Sequence, residues 1–372
     1  MLNNNNNLVS AFKRYDFSFF GIACGIFLVG IINLYSATHA TTRDVAEGLY
    51  LTQVMWFFLS AAIGVFVSFI NTKTWHRLSY FAYAFVCIIL IAVLILGHSS
   101  MGAQRWISIA GVRFQPSEIT KLAVVMCLAR WFSRLQNDRE TGLKDLIIPF
   151  LIAMLPALLI IVQPDLGTGM LVIVISFFMA FYRKLKWQSL AIIAMIVIVS
   201  GSAMYKFGLK EYQRKRIVTF LDPSADAKGS GYNAIQSKIA IGSGQFFGKG
   251  FRKSSQASLN YLPENHTDFV FAIFNEEHGF FGSLLLISLY LILFYRFLWL
   301  STSVNKFFDS LLVIGMLGIF IAHTLINMAM VTGLMPIVGI PLPFMSFGGS
   351  SLVTLFVCIG IATQISNSRN LF

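Results

Sequence analysis

An all-α integral membrane protein of about ten transmembrane helices, with a large extracytoplasmic loop between the seventh and eighth, is the fold class that the sequence predicts. Three observations predict it. Of 372 residues, 56% are hydrophobic and 12% charged, about half the charge of an ordinary soluble domain. Apolar runs of about 20 residues, enough to cross a bilayer, recur from Phe17 to the C-terminus with little soluble-looking sequence between them. The short loops and helix ends assigned to one side hold fourteen Lys and Arg, and those on the other side hold only Arg43, Arg105 and Arg113. That asymmetry is the positive-inside rule and fixes the orientation. The formal charge of +12 is thereby absorbed by topology, and no nucleic acid partner is called for.

The elements follow in order. An asparagine tract, Asn3 to Asn7, lies in a cytoplasmic tail, residues 1–16, in which Lys13 and Arg14 precede the first apolar run. That run, Phe17 to Ser36, exceeds the apolar core of a signal peptide and reads as a retained first helix. Further spans are expected at 50–70, 78–97, 117–133, 146–162, 167–182, 188–207, 269–299, 307–331 and 349–366. An even number returns both termini to the cytoplasm, in one polytopic domain over 1–372. The four cysteines, Cys24, Cys87, Cys127 and Cys358, all fall in apolar runs and give no disulfide framework.

Two outer loops stand apart. Residues 208–268 form the long one, and from Lys206 onward this stretch carries ten basic residues among aromatics and glycines. Long loops translocate regardless of charge, so the topology stands and an ordered, cationic layer suited to an anionic, phosphate-bearing lipid is expected. The last outer loop, residues 333–348, is rich in Pro and Gly and has no charge. Such backbone is allowed at membrane depth only where protein or a cavity surrounds it.

Polar residues near the outer face carry the candidate chemistry. In Leu262-Pro-Glu-Asn-His-Thr-Asp-Phe, Asp268 stands at the start of the eighth helix, either as an N-cap together with Thr267 or as a general base at the mouth of a pocket; His266 lies beside it. Glu276 and Glu277 follow, either above the hydrocarbon or within it. In Phe114-Gln-Pro-Ser-Glu-Ile-Thr-Lys, Pro116 and Ser117 start a helix that sets Glu118 and Lys121 three apart on one face, as a self-neutralising pair or as the wall of a polar cavity. Trp106, next to Arg105, is an interfacial anchor or a platform for a sugar ring. Asp165, in Gln163-Pro-Asp-Leu-Gly-Thr, is a turn or cap residue or faces the same pocket. Three carboxylates on one side of the membrane form the pattern to explain. The six histidines show no ligand spacing, so no metal site is expected from them.

Taken in order, MGAQRWI (101–107), FQPSEITK (114–121), QPDLGT (163–168), YQRKRI (212–217), QSKIAIGSGQFFGKG (236–250), LPENHTDFVFA (262–272) and LMPIVGIPLPFMSFGGSS (334–351) resemble the SEDS family, the RodA and FtsW proteins of cell shape and division. MGAQRWI and VGIPLPF look more like the elongation branch, RodA. Two positions depart from the family pattern: Gln245 stands where a glycine is expected, and Phe347 where a tyrosine is usual.

The resemblance implies a peptidoglycan glycosyltransferase that polymerises lipid II in the bacterial cytoplasmic (inner) membrane during elongation, with inversion at the anomeric carbon. It implies that Asp268 matches the family's essential aspartate and that Glu118 and Lys121 match its cavity ion pair. Arg216 and Lys238 become the candidates for stabilising the departing diphosphate. Arg105, Trp106, Asp165 and His266 complete the candidate substrate-binding set. No cofactor follows from the resemblance itself; a divalent cation, Mg or Mn, is the candidate. The implied partners are a class B penicillin-binding protein transpeptidase, other rod-complex proteins and membrane lipid. A lipid II flippase is the rival from another class and would show internal repeats and broken helices meeting at the midplane, and no convincing repeat is visible. A non-catalytic cell-wall scaffold would not need three carboxylates on one face.

Overall fold

The structure is a computed structural model that describes residues 15–39, 48–96, 98–100, 103–109, 112–135, 140–193, 195, 211–226, 229–259, 261–264 and 266–369. Most of the asparagine-bearing tail, Arg43 and the latter part of the expected span 188–207 lie outside the described residues. The remaining expected spans all coincide with helices. These are α1 (Ser18–His39), α2 (Leu49–Val67), α3 (Thr72–Leu96), α4 (Pro116–Phe132), α5 (Leu143–Val162) and α6 (Leu166–Tyr182). The long loop contributes α7 (Glu211–Leu221), α8 (Ser230–Ser243) and the single turn α9 (Ser255–Ser258), and the chain closes with α10 (Val270–Ser303), α11 (Phe307–Thr332) and α12 (Gly349–Arg369).

Among the described residues seven helices are long and apolar enough to cross a membrane. With the shorter apolar α6 and the buried α4, of 17 residues each, they make this a multi-pass membrane protein. α11, α12 and α4 form the centre, because their side chains are buried along nearly their whole length. α2, α3 and α5 bury little and keep their apolar faces for lipid. Close helix crossing in a bilayer relies on small residues. Gly64 of α2 lies against the Phe356 carbonyl of α12, where a Cβ would stand 2.7 Å from that oxygen, and Gly360 in turn abuts the Gly64 carbonyl. Gly315 of α11 lets in Val125 of α4 and Met179 of α6.

Two features depart from expectation. The connection between α3 and α4, part of an all-α fold as expected from sequence, carries a small antiparallel sheet, β1 (His98–Ser100), β2 (Ala103–Ile109) and β3 (Val112–Phe114), in the order β1-β2-β3. In addition α10 is not one helix: Gly279, at φ 64° and ψ −160°, interrupts it. At that break segment 245–250 takes up the released backbone groups. Lys249 N–H donates to the Glu276 carbonyl at 2.9 Å, and Phe280 N–H donates to the Gln245 carbonyl at 2.9 Å. Glu276 and Glu277 therefore lie inside protein, 0% and 1% exposed, not in lipid. The Glu276 carboxylate accepts from Lys249, from the Ser254 and Ser255 hydroxyls, and from the Ser255 and Gln256 backbone N–H groups. It ties the long loop to the helix.

Candidate functional site

α4 begins at Pro116, whose fixed φ suits the first helical position, and the next turn carries Glu118 and Lys121. Both are buried, 5% and 1% exposed. Lys121 Nζ donates to Glu118 Oε1 at 2.9 Å and stands 2.7 Å from His323 Nε2 on α11. His323 Nδ1 is 3.1 Å from the Pro341 carbonyl; that oxygen can only accept, so Nδ1 carries the proton and Nε2 accepts from the ammonium. The expected pair is thus a triad of carboxylate, ammonium and neutral imidazole.

One turn further along α11, Asn327 performs a parallel task. Its Nδ2 donates to the Ile340 carbonyl at 2.7 Å and to the Asp268 carbonyl at 3.0 Å. The Pro/Gly-rich loop 333–348 is fixed to the Asp268 segment as well. Ser346 Oγ donates to the Thr267 carbonyl at 2.5 Å, Phe347 N–H to the His266 carbonyl at 2.9 Å, and on the α10 side Asn33 Nδ2 donates to the Val270 carbonyl at 3.1 Å. Residues 266–270 are therefore held by side chains from α1 and α11 and by the loop itself. Preorganisation of this kind is what a reacting group requires.

The cap reading of Thr267 and Asp268 is overturned. The N-cap of α10 is Phe269, and no side chain caps the helix. The Asp268 carboxylate instead turns toward Gly339, where an added Cβ would lie 3.1 Å from Oδ2. Burial, then the nearby Glu264 carboxylate, pushes Asp268 up to about 6; a hydrogen bond from Thr267 and the Arg216 charge oppose them. His266, with Nε2 3.9 Å from Glu264 Oε2, is lowered by burial against the opposing pull of Glu264. Arg216 of α7 and Lys238 of α8 line one small cleft with Met330, Gly333 and Pro336. Lys238 lies across Gly333, where a Cβ would collide with its side chain.

Asp165 takes the cap role. It accepts from Thr168 N–H at 3.2 Å, from Thr168 Oγ1 at 3.0 Å and from Gln115 Nε2 at 3.2 Å. Arg105 on β2 donates to the Gln163 carbonyl at 3.2 Å and to the Pro164 carbonyl, bracing the turn between α5 and α6, and Trp106 follows it on the same strand, half-buried. The sequence reading missed His323, Asn327, Ser346 and Gly339. A signal existed for two of them: His323 and Asn327 are polar residues four apart within an apolar span, hence on one helical face.

The model of the FtsW/RodA/SpoVE family, described as cell cycle protein, matches residues 17–371. The chain belongs to this family. Among similar relatives is the peptidoglycan glycosyltransferase MrdB of Escherichia coli K12, 38% identical over 84% of this chain and 84% of that one. A chain solved in work on how a peptidoglycan synthase complex coordinates polymerization and crosslinking superposes with a TM-score of 0.81 at 27% identity, over 95% of this chain and 98% of that one. The rod shape determining protein RodA of Thermus thermophilus gives a TM-score of 0.70 at 26% identity, over 95% and 97%.

Both departures from the family pattern now have a structural setting. Gln245 has φ 48°, a left-handed conformation that glycine adopts without strain. Phe347 meets the His266 ring edge-on, centroids 6.1 Å apart. Within this family member, Gly339 is expected to be intolerant of substitution, because its φ is +75° and the Asp268 carboxylate occupies the neighbouring space. A Gly339→Ala variant should lose about a hundredfold in glycan synthesis through misplacement of that carboxylate. Synthesis at the wild-type rate would show that the two do not interact.

Proposed function

We propose that this protein is an inverting peptidoglycan glycosyltransferase that polymerises lipid II into glycan strands during cell elongation, with Asp268 as general base. The observation that carries the reading is a carboxyl on a backbone segment held from several sides, free of a capping role and raised to about 6 by burial and the nearby Glu264 carboxylate. That value is close to where a base works best at neutral pH. The 4-hydroxyl of the acceptor's N-acetylglucosamine would give its proton to Asp268 while its oxygen bonds to the anomeric carbon of the donor's N-acetylmuramic acid. On the opposite face the bond to the diphosphate breaks, and undecaprenyl diphosphate leaves with the electron pair. Arg216 and Lys238, exposed cations of one cleft, supply charge where the departing diphosphate develops its own.

Buried Glu118 and Lys121 act on this view as the polar wall beneath the pocket, and Trp106 as a platform for a sugar ring. Asp268 and Glu264 would offer a divalent cation, Mg or Mn, two carboxylates, with the substrate diphosphate completing the set as is common for Mg²⁺. When bound, such an ion would neutralise charge on the leaving group. The partner we propose is a class B penicillin-binding protein transpeptidase within the rod complex, a reading supported by the relative solved in work on a peptidoglycan synthase complex. The distribution of basic residues supports an inner-membrane location with both termini cytoplasmic.

The purified full-length protein, combined with its partner and labelled lipid II, should produce long glycan polymer. Transfer of lipid II across a vesicle membrane with no polymer formed would favour the flippase instead. Arg216→Gln and Lys238→Gln should each lower kcat/KM for lipid II about tenfold, the order of one charged hydrogen bond, with unchanged melting. Unaltered kinetics in both variants would remove these residues from the diphosphate site.

A further inference from the structure

A second polar site lies at the other end of the bundle. α4 spans 17 residues, so its Glu118 and Arg130 ends are about 18 Å apart at the usual helical rise. At the Arg130 end, α3, α4 and α11 enclose a cleft of ≈ 380 Å³, within the size range of small-ligand sites. Its charged lining is Lys73, Arg77, Arg130 and Lys306 against the single carboxylate of Asp309. No ion pair of the four cations occurs among the described residues. Four cations against one carboxylate leave a strong positive excess where three helices end.

The cleft is built rather than incidental. Arg130 stacks on the Tyr80 ring at 4.3 Å and donates through Nη1 to the Arg77 carbonyl at 2.9 Å, which fixes its guanidinium. Its buried Nε–H finds no acceptor among the described residues. A guanidinium held in this way keeps further N–H groups that a phosphate oxygen can accept from. The cleft also opens beside lipid. Leu78, Phe81, Phe85 and Ile88 follow it down α3 at helical spacing, 43–71% exposed, as an apolar stripe for acyl chains. The membrane face is the one at which Tyr15, Asp16 and Asn367 meet: Tyr15 OH bonds Ser68 Oγ at 2.7 Å next to the start of α3, and Asp16 N–H donates to Asn367 Oδ1 at 2.8 Å.

We infer that this cleft binds the phosphodiester headgroup of an anionic glycerophospholipid from that leaflet, with its acyl chains along α3. Charge excess selects an anionic lipid over a zwitterionic one, and the adjoining stripe selects a lipid over a soluble phosphate. The site is separate from the glycan-forming pocket and does not depend on its assignment.

The test is native mass spectrometry of the full-length protein released from nanodiscs of phosphatidylglycerol or of phosphatidylcholine, with inorganic phosphate as a third arm. Wild-type protein should retain phosphatidylglycerol and not phosphatidylcholine, and millimolar phosphate should not displace it. The K73Q/R77Q/K306Q variant should retain about a hundredfold less, from three lost cation contacts. A single Lys306→Glu variant, at a helix cap rather than within a helix, should also lose retention and covers the case in which the triple variant does not fold. Equal retention in wild type and both variants, equal retention of the two lipids, or displacement by phosphate alone would overturn the inference.

Discussion

Replacing Asp268 by asparagine is expected to slow lipid II polymerisation at least about a hundredfold, the lower end of what general-base catalysis supplies, while the protein inserts, folds and binds its partner. Asparagine keeps the size of the side chain and cannot take up a proton. The segment around it should not move, because its anchors are backbone carbonyls of residues 266–270 and not the carboxylate. The pH dependence sharpens the test. Protonated Asp268 cannot act as a base, so wild-type kcat/KM should fall about tenfold per unit as pH drops below about 6. The residual activity of the Asn variant should be flat through that range.

Stability should move in the opposite direction. A carboxyl raised above its ordinary 3.8 in the folded state destabilises the fold once pH exceeds that value, and the penalty is complete above about 6. The Asn variant lacks this penalty and should melt at a higher temperature than wild type at pH 7.5. A folded Asp268→Asn protein polymerising lipid II near the wild-type rate would sink the assignment.

Truncating one member of the buried triad is expected to cost about 3–5 kcal/mol, because it strands a charge in a site that excludes water. Lys121→Ala leaves Glu118 beside a neutral imidazole, with Ser351 still donating to it. Glu118→Ala leaves the ammonium with His323 Nε2 as its remaining partner. The double substitution removes both charges together, so it should be less harmful than the sum of the singles. Thermal melting in detergent for the four members of the cycle measures this, and strict additivity would count against the pairing. A Glu118→Gln, Lys121→Met protein should recover most of the stability and still lose activity if the pair shapes the pocket wall.

The sequence by itself determined the membrane class, the spans within the described residues, the Glu118–Lys121 pair and the turn at Asp165. Each follows from a local rule. A bilayer imposes a run length on its helices, a helix places residues three apart on one face, and a cap bonds within its own first turn. Only the tertiary structure decided what surrounds these groups. His323 reaches Lys121 across 202 positions of sequence, and Asn327 reaches the Asp268 carbonyl across 59. The cap reading of Asp268 failed because Phe269 is the N-cap of α10, leaving the carboxylate to face Gly339 of a loop some seventy residues later in the chain. The break at Gly279 was hidden because Glu276 and Glu277 find their partners in segment 245–256 and in Ser36. Contacts of this kind have no period along the chain, and folding sets them by which helices pack together.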